Sequence, residues 1–187
     1  MDPDEDLLAR SAREPTAFEP LVARHSAALH GYLVRRAPAA ADDLLSEVWL
    51  QAYAHRATFD AGRGSARGWL FGVAGKVLSR HRQTTARAAA RTEPGPDAVT
   101  ADPWQAVDQR LDAASVAPEL RRRLAELPSA ERELLLLVAW EQLTPAEAAA
   151  AVGIPAGTAR SRLHRARARL RDGLTGPART TLTGDFA

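Results

Sequence analysis

Apolar positions recur along most of this chain at intervals of three and four, the period of an α-helix with one face turned inward. Phe18, Leu21, Val22, His25, Leu29 and Leu33 fall on one such face. Pro38 breaks the helix they predict. Asp42 and Asp43 open a second helix, where carboxylates suit the positive end of the helix dipole. Its apolar face is Leu44, Leu45, Val48, Trp49 and Tyr53. A loop from Phe59 to Gly64 follows, with Ser65 placed to N-cap a third helix. That helix carries Trp69, Leu70, Val73, Val77 and Leu78 and ends in Arg80, His81 and Arg82. Trp69 sits within the apolar stripe, so it reads as a core residue rather than an exposed stacking platform.

From Thr84 to Ala101 the period lapses into alanine, threonine and the run Glu93-Pro94-Gly95-Pro96, a linker that prolines keep from being helical. Order is expected to resume between Asp102 and Val116. Glu119 to Leu127 predicts a helix that Pro128 stops, and Ser129 is placed to cap another from Glu131 to Trp140. The sharpest local signal is Thr144 to Arg171. Thr144-Pro145-Ala146-Glu147 is a capping box with proline at the first helical position. Alanines run on to Val152, and Gly153 supplies a left-handed turn. Ile154 re-enters the core, and Pro155 starts the next helix. The unit is a helix-turn-helix, whose second helix is the one that enters a DNA groove. No stretch alternates with a period of two and nothing repeats. The expected fold is all-α: two small helical domains, residues 16–83 and 116–172, joined by a flexible linker, 84–115. An acidic N-terminal extension, 1–15, and a C-terminal tail, 173–187, lie outside them.

Composition narrows the chemistry. With 187 residues the chain suits one ordinary domain or two small ones, and its 5% aromatic content under 45% hydrophobic favours helix over strand. There is no cysteine, which excludes disulfides, thiolate metal sites and thiol redox sensing. No run reaches membrane-spanning length and the acidic start does not resemble a signal peptide, so a cytoplasmic protein without membrane insertion is expected. Net charge is only +2, so any binding to nucleic acid must come from where the charge is placed. It is placed on the last helix. Between Pro155 and Arg171 stand Arg160, Arg162, Arg165, Arg167, Arg169 and Arg171, with no acid among them. These guanidiniums repel one another, a polyanion relieves the repulsion, and arginine pairs in bidentate fashion with phosphate and with guanine edges. Enzyme chemistry finds no footing. His25, His30, His55, His81 and His164 lack metal-ligand spacing, and there is no phosphate-binding glycine loop or nucleophile motif. No catalytic residue, metal or cofactor is expected.

The two blocks together resemble the sigma-70 superfamily of bacterial transcription initiation factors, in particular the small extracytoplasmic-function (ECF) type, which keeps only regions 2 and 4. Asp42 to Trp49 (DDLLSEVW) and Phe59 to Val73 (FDAGRGSARGWLFGV) are similar to region 2. Leu127 to Arg132 (LPSAER) and Gly157 to Arg167 (GTARSRLHRAR) are similar to region 4. The resemblance implies docking of Asp43, Leu44, Glu47, Leu50 and Gln51 on the β′ clamp helices of core RNA polymerase, with the β flap as a further contact. It implies that the loop around Asp60, with Arg63, Ser65, Arg67, Lys76 and Arg80 (and Arg82 beyond), reads and opens the −10 promoter element. Arg160, Ser161, His164 and Arg165 would then read −35 bases, while Thr158, Arg162 and Arg167 would touch phosphate. Family members are often held inactive by an anti-sigma factor, and a tethered pair of domains permits that.

Two departures stand out. The family usually has asparagine where this chain has Lys76, and lysine cannot accept a hydrogen bond, so the −10 preference is expected to differ. Ala148 and Ala159 replace bulkier aliphatics, each forgoing roughly 1–3 kcal/mol of possible burial, which predicts a second domain of marginal stability. Two rivals are a stand-alone DNA-binding regulator, which would need a sensing domain that the N-terminal block does not offer, and a protein that only sequesters partners, against which the acid-free arginine helix argues.

Overall fold

Asp4, Glu5 and Asp6 fill the first turn of α1 (Asp4–Ser11) and Arg10 its last, charges matched to the two ends of the helix dipole. In this computed structural model, residues 2–91 and 117–174 are described. After α1 come α2 (Glu19–Val34), α3 (Ala41–His55) and α4 (Ala66–Arg91), joined by short 3-10 turns. Beyond the linker lie α5 (Ala117–Glu126), α6 (Ser129–Ala139), α7 (Pro145–Val152) and α8 (Ala156–Leu174). Among the described residues there is no strand, and the all-α expectation holds.

The apolar stripes meet as their spacing requires. In the first domain Leu21, Leu29, Leu33, Val48, Leu70 and Leu78 are sealed from solvent. Phe71 meets Tyr32 edge-on at 5.5 Å, and Phe18 meets Trp49 and Tyr53 at 5.9 and 5.3 Å. The inner face of α3 is centred on Leu44, Val48 and Ala52, while Tyr53 is exposed. In the second domain Leu134, Leu137, Leu143 and Leu163 enclose Ala148, Ala159 and Ala166, all buried.

Three boundaries differ from the sequence expectation. The segment set apart as an acidic extension supplies α1, whose Leu7 and Leu8 enter the first core. Asp4 ties it down, bonding Arg24 at 2.5 Å and His25 at 2.6 Å. Burial pushes the Asp4 carboxyl up, but those two partners outweigh it and hold it below its ordinary value. The third predicted helix does not stop at Arg82 but runs on to Arg91, because alanine and arginine are strong helix formers and no proline intervenes before Pro94. Ser129 does not cap α6: it is already helical, Pro128 holds the cap position, and no side chain bonds there. The order expected between Asp102 and Val116 lies outside the described residues, as do Glu93 to Pro96 and most of the tail.

The two domains pack together. The tightest line runs between α4 and α7, where glycine lets two backbones approach. A Cβ on Gly68 would meet the Glu147 backbone at 3.1 Å, and one on Gly72 would meet the Ala151 carbonyl at 3.3 Å. Ala150 and Ala151 present correspondingly little side chain to α4. Ala148 and Ala159, read from sequence as missing bulk, are fully buried within their own domain, so small side chains are accommodated by close helix approach.

A buried polar cluster closes the other end of this contact. Glu141, just after α6, is almost sealed from solvent and accepts from Arg35 and, at 3.3 Å, from Arg36. Arg36 lies 3.9 Å over the Tyr32 ring and 3.6 Å from Glu133. Burial, and after it the charge of Glu133, pushes the Tyr32 phenol up.

Candidate nucleic-acid interface

The helix-turn-helix is built as its sequence dictates. The Thr144 hydroxyl accepts from the Glu147 amide at 3.2 Å, and the Glu147 carboxylate accepts from the Thr144 amide at 2.8 Å, a complete capping box. Gly153 ends α7 at φ 71°, a left-handed position that glycine adopts without the Cβ penalty other residues meet there. The chain then turns through Ile154 and Pro155 into α8.

One side of α8, through Ala159, Leu163 and Ala166, is buried in the domain. The remaining surface divides in two. Arg160, His164, Arg167 and Arg171 line one flank, bordering an open groove of about 600 Å³ that Pro145 of α7 also lines. Ser161 is exposed beside them, its hydroxyl donating to the Thr158 carbonyl at 2.9 Å. The other flank, with Arg162, Arg165 and Arg169, turns toward α6. There Glu131, a buried carboxylate, accepts from Arg165 Nε at 3.2 Å and from Arg169 Nη1 at 2.7 Å. The helix therefore has acidic relief after all, from a neighbouring helix. Among the described residues Arg160, Arg162 and Arg167 carry no ion pair.

The first-domain residues gather around the start of α4. Asp60 accepts from the Gly62 amide at 2.9 Å and so shapes the turn Ala61–Arg63. Gly64 follows at φ 155°, and a Cβ there would meet Ala150 at 3.2 Å. Ser65 N-caps α4, its hydroxyl accepting from the Gly68 amide at 3.1 Å. The same hydroxyl donates to Glu147 of the capping box at 2.8 Å. Burial pushes the Glu147 carboxyl up; bonds from the Thr144 amide, Ser65 and the Thr144 hydroxyl outweigh it and leave it below its ordinary value. Arg67 donates to the Glu141 carbonyl at 2.6 Å. Lys76 and Arg80 are exposed. Lys76, Ser65, Asp60, Phe59 and Trp69 line a groove of about 810 Å³ whose far wall is the turn of the helix-turn-helix, Gly153 to Ala156. Trp69 is only partly buried and meets Phe59 edge-on at 5.9 Å, so it serves both core and groove.

The residues assigned by resemblance to polymerase docking lie along α3. Asp43 and Leu50 are exposed, Leu50 at 66%. Gln51 donates to Glu47 at 2.7 Å beside them. Leu44 is turned into the core.

Sequence reasoning missed four contributors: Glu5, which caps α4 by accepting from the Ala66 amide at 2.9 Å, and Glu131, Glu141 and Glu147 in its second role. The close contact of α4 with α7 did leave a signal, the four-residue spacing of Gly68 and Gly72. Among the described residues no group of three or more His, Asp or Glu could hold a metal ion, and no helix is long and apolar enough to cross a membrane.

An arginine-faced helix-turn-helix joined to a separate helical domain is the architecture of a two-domain promoter-recognition protein, and both domains match models of that class: sigma-70 region 2 over residues 21–88 and sigma-70 region 4 over residues 118–170. The chain is 30% identical over 171 residues to the ECF RNA polymerase sigma factor RpoE of Cereibacter sphaeroides, covering 87% of this chain and 88% of that one. It resembles the structure of CnrH in complex with the cytosolic domain of CnrY, with a TM-score of 0.59 at 27% identity, covering 95% of this chain and 100% of that one. The fold is shared too with the sigma factor RpoE of Bartonella quintana, solved with the anti-sigma factor NepR, at a TM-score of 0.58, 20% identity and coverage of 86% and 98%. The protein belongs to the ECF family of RNA polymerase sigma factors, and its function is promoter recognition in transcription initiation.

Proposed function

We propose that this chain binds core RNA polymerase through α3, reads the −35 element with α8 and engages the −10 element with the loop from Asp60 to Ser65 and the start of α4. The exposure of Arg160, Ser161, His164 and Arg167 on a helix whose back is buried in the helix-turn-helix carries this reading. That arrangement is what a major-groove helix needs. Asp43, Glu47, Leu50 and Gln51 offer an acidic, partly apolar strip suited to a basic partner surface. RNA synthesis belongs to the polymerase, and this chain supplies promoter choice and help with strand opening.

Lys76 and Arg80 are suited to hold the displaced strand's phosphates, and the groove between Phe59, Trp69 and Lys76 to admit an unstacked base. An anti-sigma factor is a further partner in this reading, supported by the CnrH structure, which holds a second protein.

The test is reconstitution. Purified protein is mixed with sigma-free core polymerase and a promoter library, and transcripts are sequenced. Initiation from promoters sharing −35 and −10 elements is the expected result. DNA binding without polymerase binding would instead define a stand-alone regulator.

A further inference from the structure

Glu131 stands in the first turn of α6, 34 residues before its partner Arg165, and its side chain is 8% exposed. Each carboxylate oxygen serves a different arginine of α8: Oε1 takes Arg165 and Oε2 takes Arg169. Both arginines keep about half their side-chain surface open, at 53% and 52%. The bond to Arg165 is made through Nε. It restricts the orientation of the guanidinium and does not use the end-on N–H groups of its two terminal nitrogens, the pair that spans guanine O6 and N7.

We propose that Glu131 is a positioning residue for −35 recognition: it orients Arg165 for bidentate reading of a guanine edge and lowers the charge with which α8 meets DNA of any sequence. The inference rests on the reading of α8 as the −35 helix. An arginine on a free stem samples many rotamers and finds phosphate as readily as a base, because phosphate contact needs charge and little geometry. Held at Nε by a buried acid, the same side chain approaches in one plane. Discrimination rises and undirected attraction falls.

The experiment uses the holoenzyme on the promoter found by reconstitution and on its single-base −35 variants, comparing wild type, Glu131→Gln, Arg165→Ala and the double substitution. Glutamine keeps the size of the side chain and one acceptor but loses the charge. Glu131→Gln is expected to shrink the preference for guanine at one or two −35 positions about tenfold. Binding to unrelated duplex should hold or tighten, with a log K against log salt slope steeper by about one to two. In the Arg165→Ala background the effect on guanine preference should vanish. Arg165→Lys, which keeps Glu131 and the charge but loses the fork, should lose the same preference and covers the case in which Glu131→Gln folds poorly. Parallel loss on every −35 variant, or unchanged preference, would overturn the proposal and leave Glu131 a tie between helices. A wild type without −35 preference would remove the reading of α8 itself, an outcome visible before any variant is made.

Discussion

Six arginines on α8 look alike in the sequence, yet their surroundings sort them. Arg165 is held by a carboxylate at its Nε, while Arg167 projects toward the open flank beside Arg160 and His164. Orientation favours base reading and free charge favours phosphate. Arg165→Ala is therefore expected to cost about 1–3 kcal/mol on the preferred promoter and to relax specificity at one or two −35 positions. Arg167→Ala should weaken all sequences alike and make the salt slope shallower by about one. Binding isotherms at several salt concentrations on matched and mismatched −35 duplexes check this, and equal, sequence-blind losses from both variants would refute the division.

At the scale of elements, the contact of α4 with α7 depends on glycine at Gly68 and Gly72. Gly68→Leu would place a side chain where a Cβ alone already meets the Glu147 backbone at 3.1 Å. Backbone does not yield as a flexible side chain does, so α7 must move away. The expected outcome is an increased distance between dyes placed on the two domains, with helix content by circular dichroism held or slightly raised, since glycine within a helix costs about 1 kcal/mol relative to good helix formers. An unchanged distance would show that α4 and α7 do not meet closely in solution. These same elements show what a sequence discloses. The period of Leu21, Leu29 and Leu33, the capping box at Thr144 and the turn at Gly153 are local, fixed by neighbours within a few residues, and they were legible. The docking of α1 was not, because Leu7 and Leu8 are two adjacent leucines in an acidic segment too short to display a period. Glu131 and Glu141 carry no mark in the sequence, since what makes each consequential is an arginine on another helix, and no spacing rule relates residues that far apart. The candidate DNA residues were legible as a set on α8, but their division into flanks needed the position of α6.

At the scale of the molecule, the closed packing occupies groups that promoter DNA is proposed to use: Ser65 bonds Glu147 and Arg67 bonds the Glu141 carbonyl. Engagement of the −10 element then requires the domains to part, so the cluster around Glu141 bears on activity as well as stability. Glu141→Gln would remove a carboxylate charge from beside the fully buried Arg36, which keeps Glu133 at 3.6 Å. Breaking a buried pair costs about 3–5 kcal/mol, and the surviving partner places this case toward the lower end. Because the bond joins two domains, the loss should fall on the closed arrangement. The expected result in small-angle scattering is a larger radius of gyration at unchanged helix content. A compact variant identical to wild type would show that Glu141 does not hold the domains together.

Acid should act on the same contact through Glu147. Its carboxylate is held below its ordinary value in the folded protein, so its contribution is complete above the unfolded value of about 4.5 and is lost as pH falls through the lower folded value. Asp4 behaves likewise beneath its ordinary value of 3.8, and its protonation would release α1 from Arg24 and His25. Protonated Glu147 loses acceptor strength toward Ser65 and the Thr144 amide together, which loosens the start of α7 and the line between α7 and α4 in one step. Acidification below 4.5 should therefore loosen the contact between the domains, and acidification below 3.8 should free α1. Glu147→Gln should remove the first of these steps and leave the second. Interdomain dye distance and fluorescence of a label on α1, followed across the titration, separate the two. A domain-opening step that survives Glu147→Gln would exclude Glu147 as the group that couples the helix-turn-helix cap to the first domain.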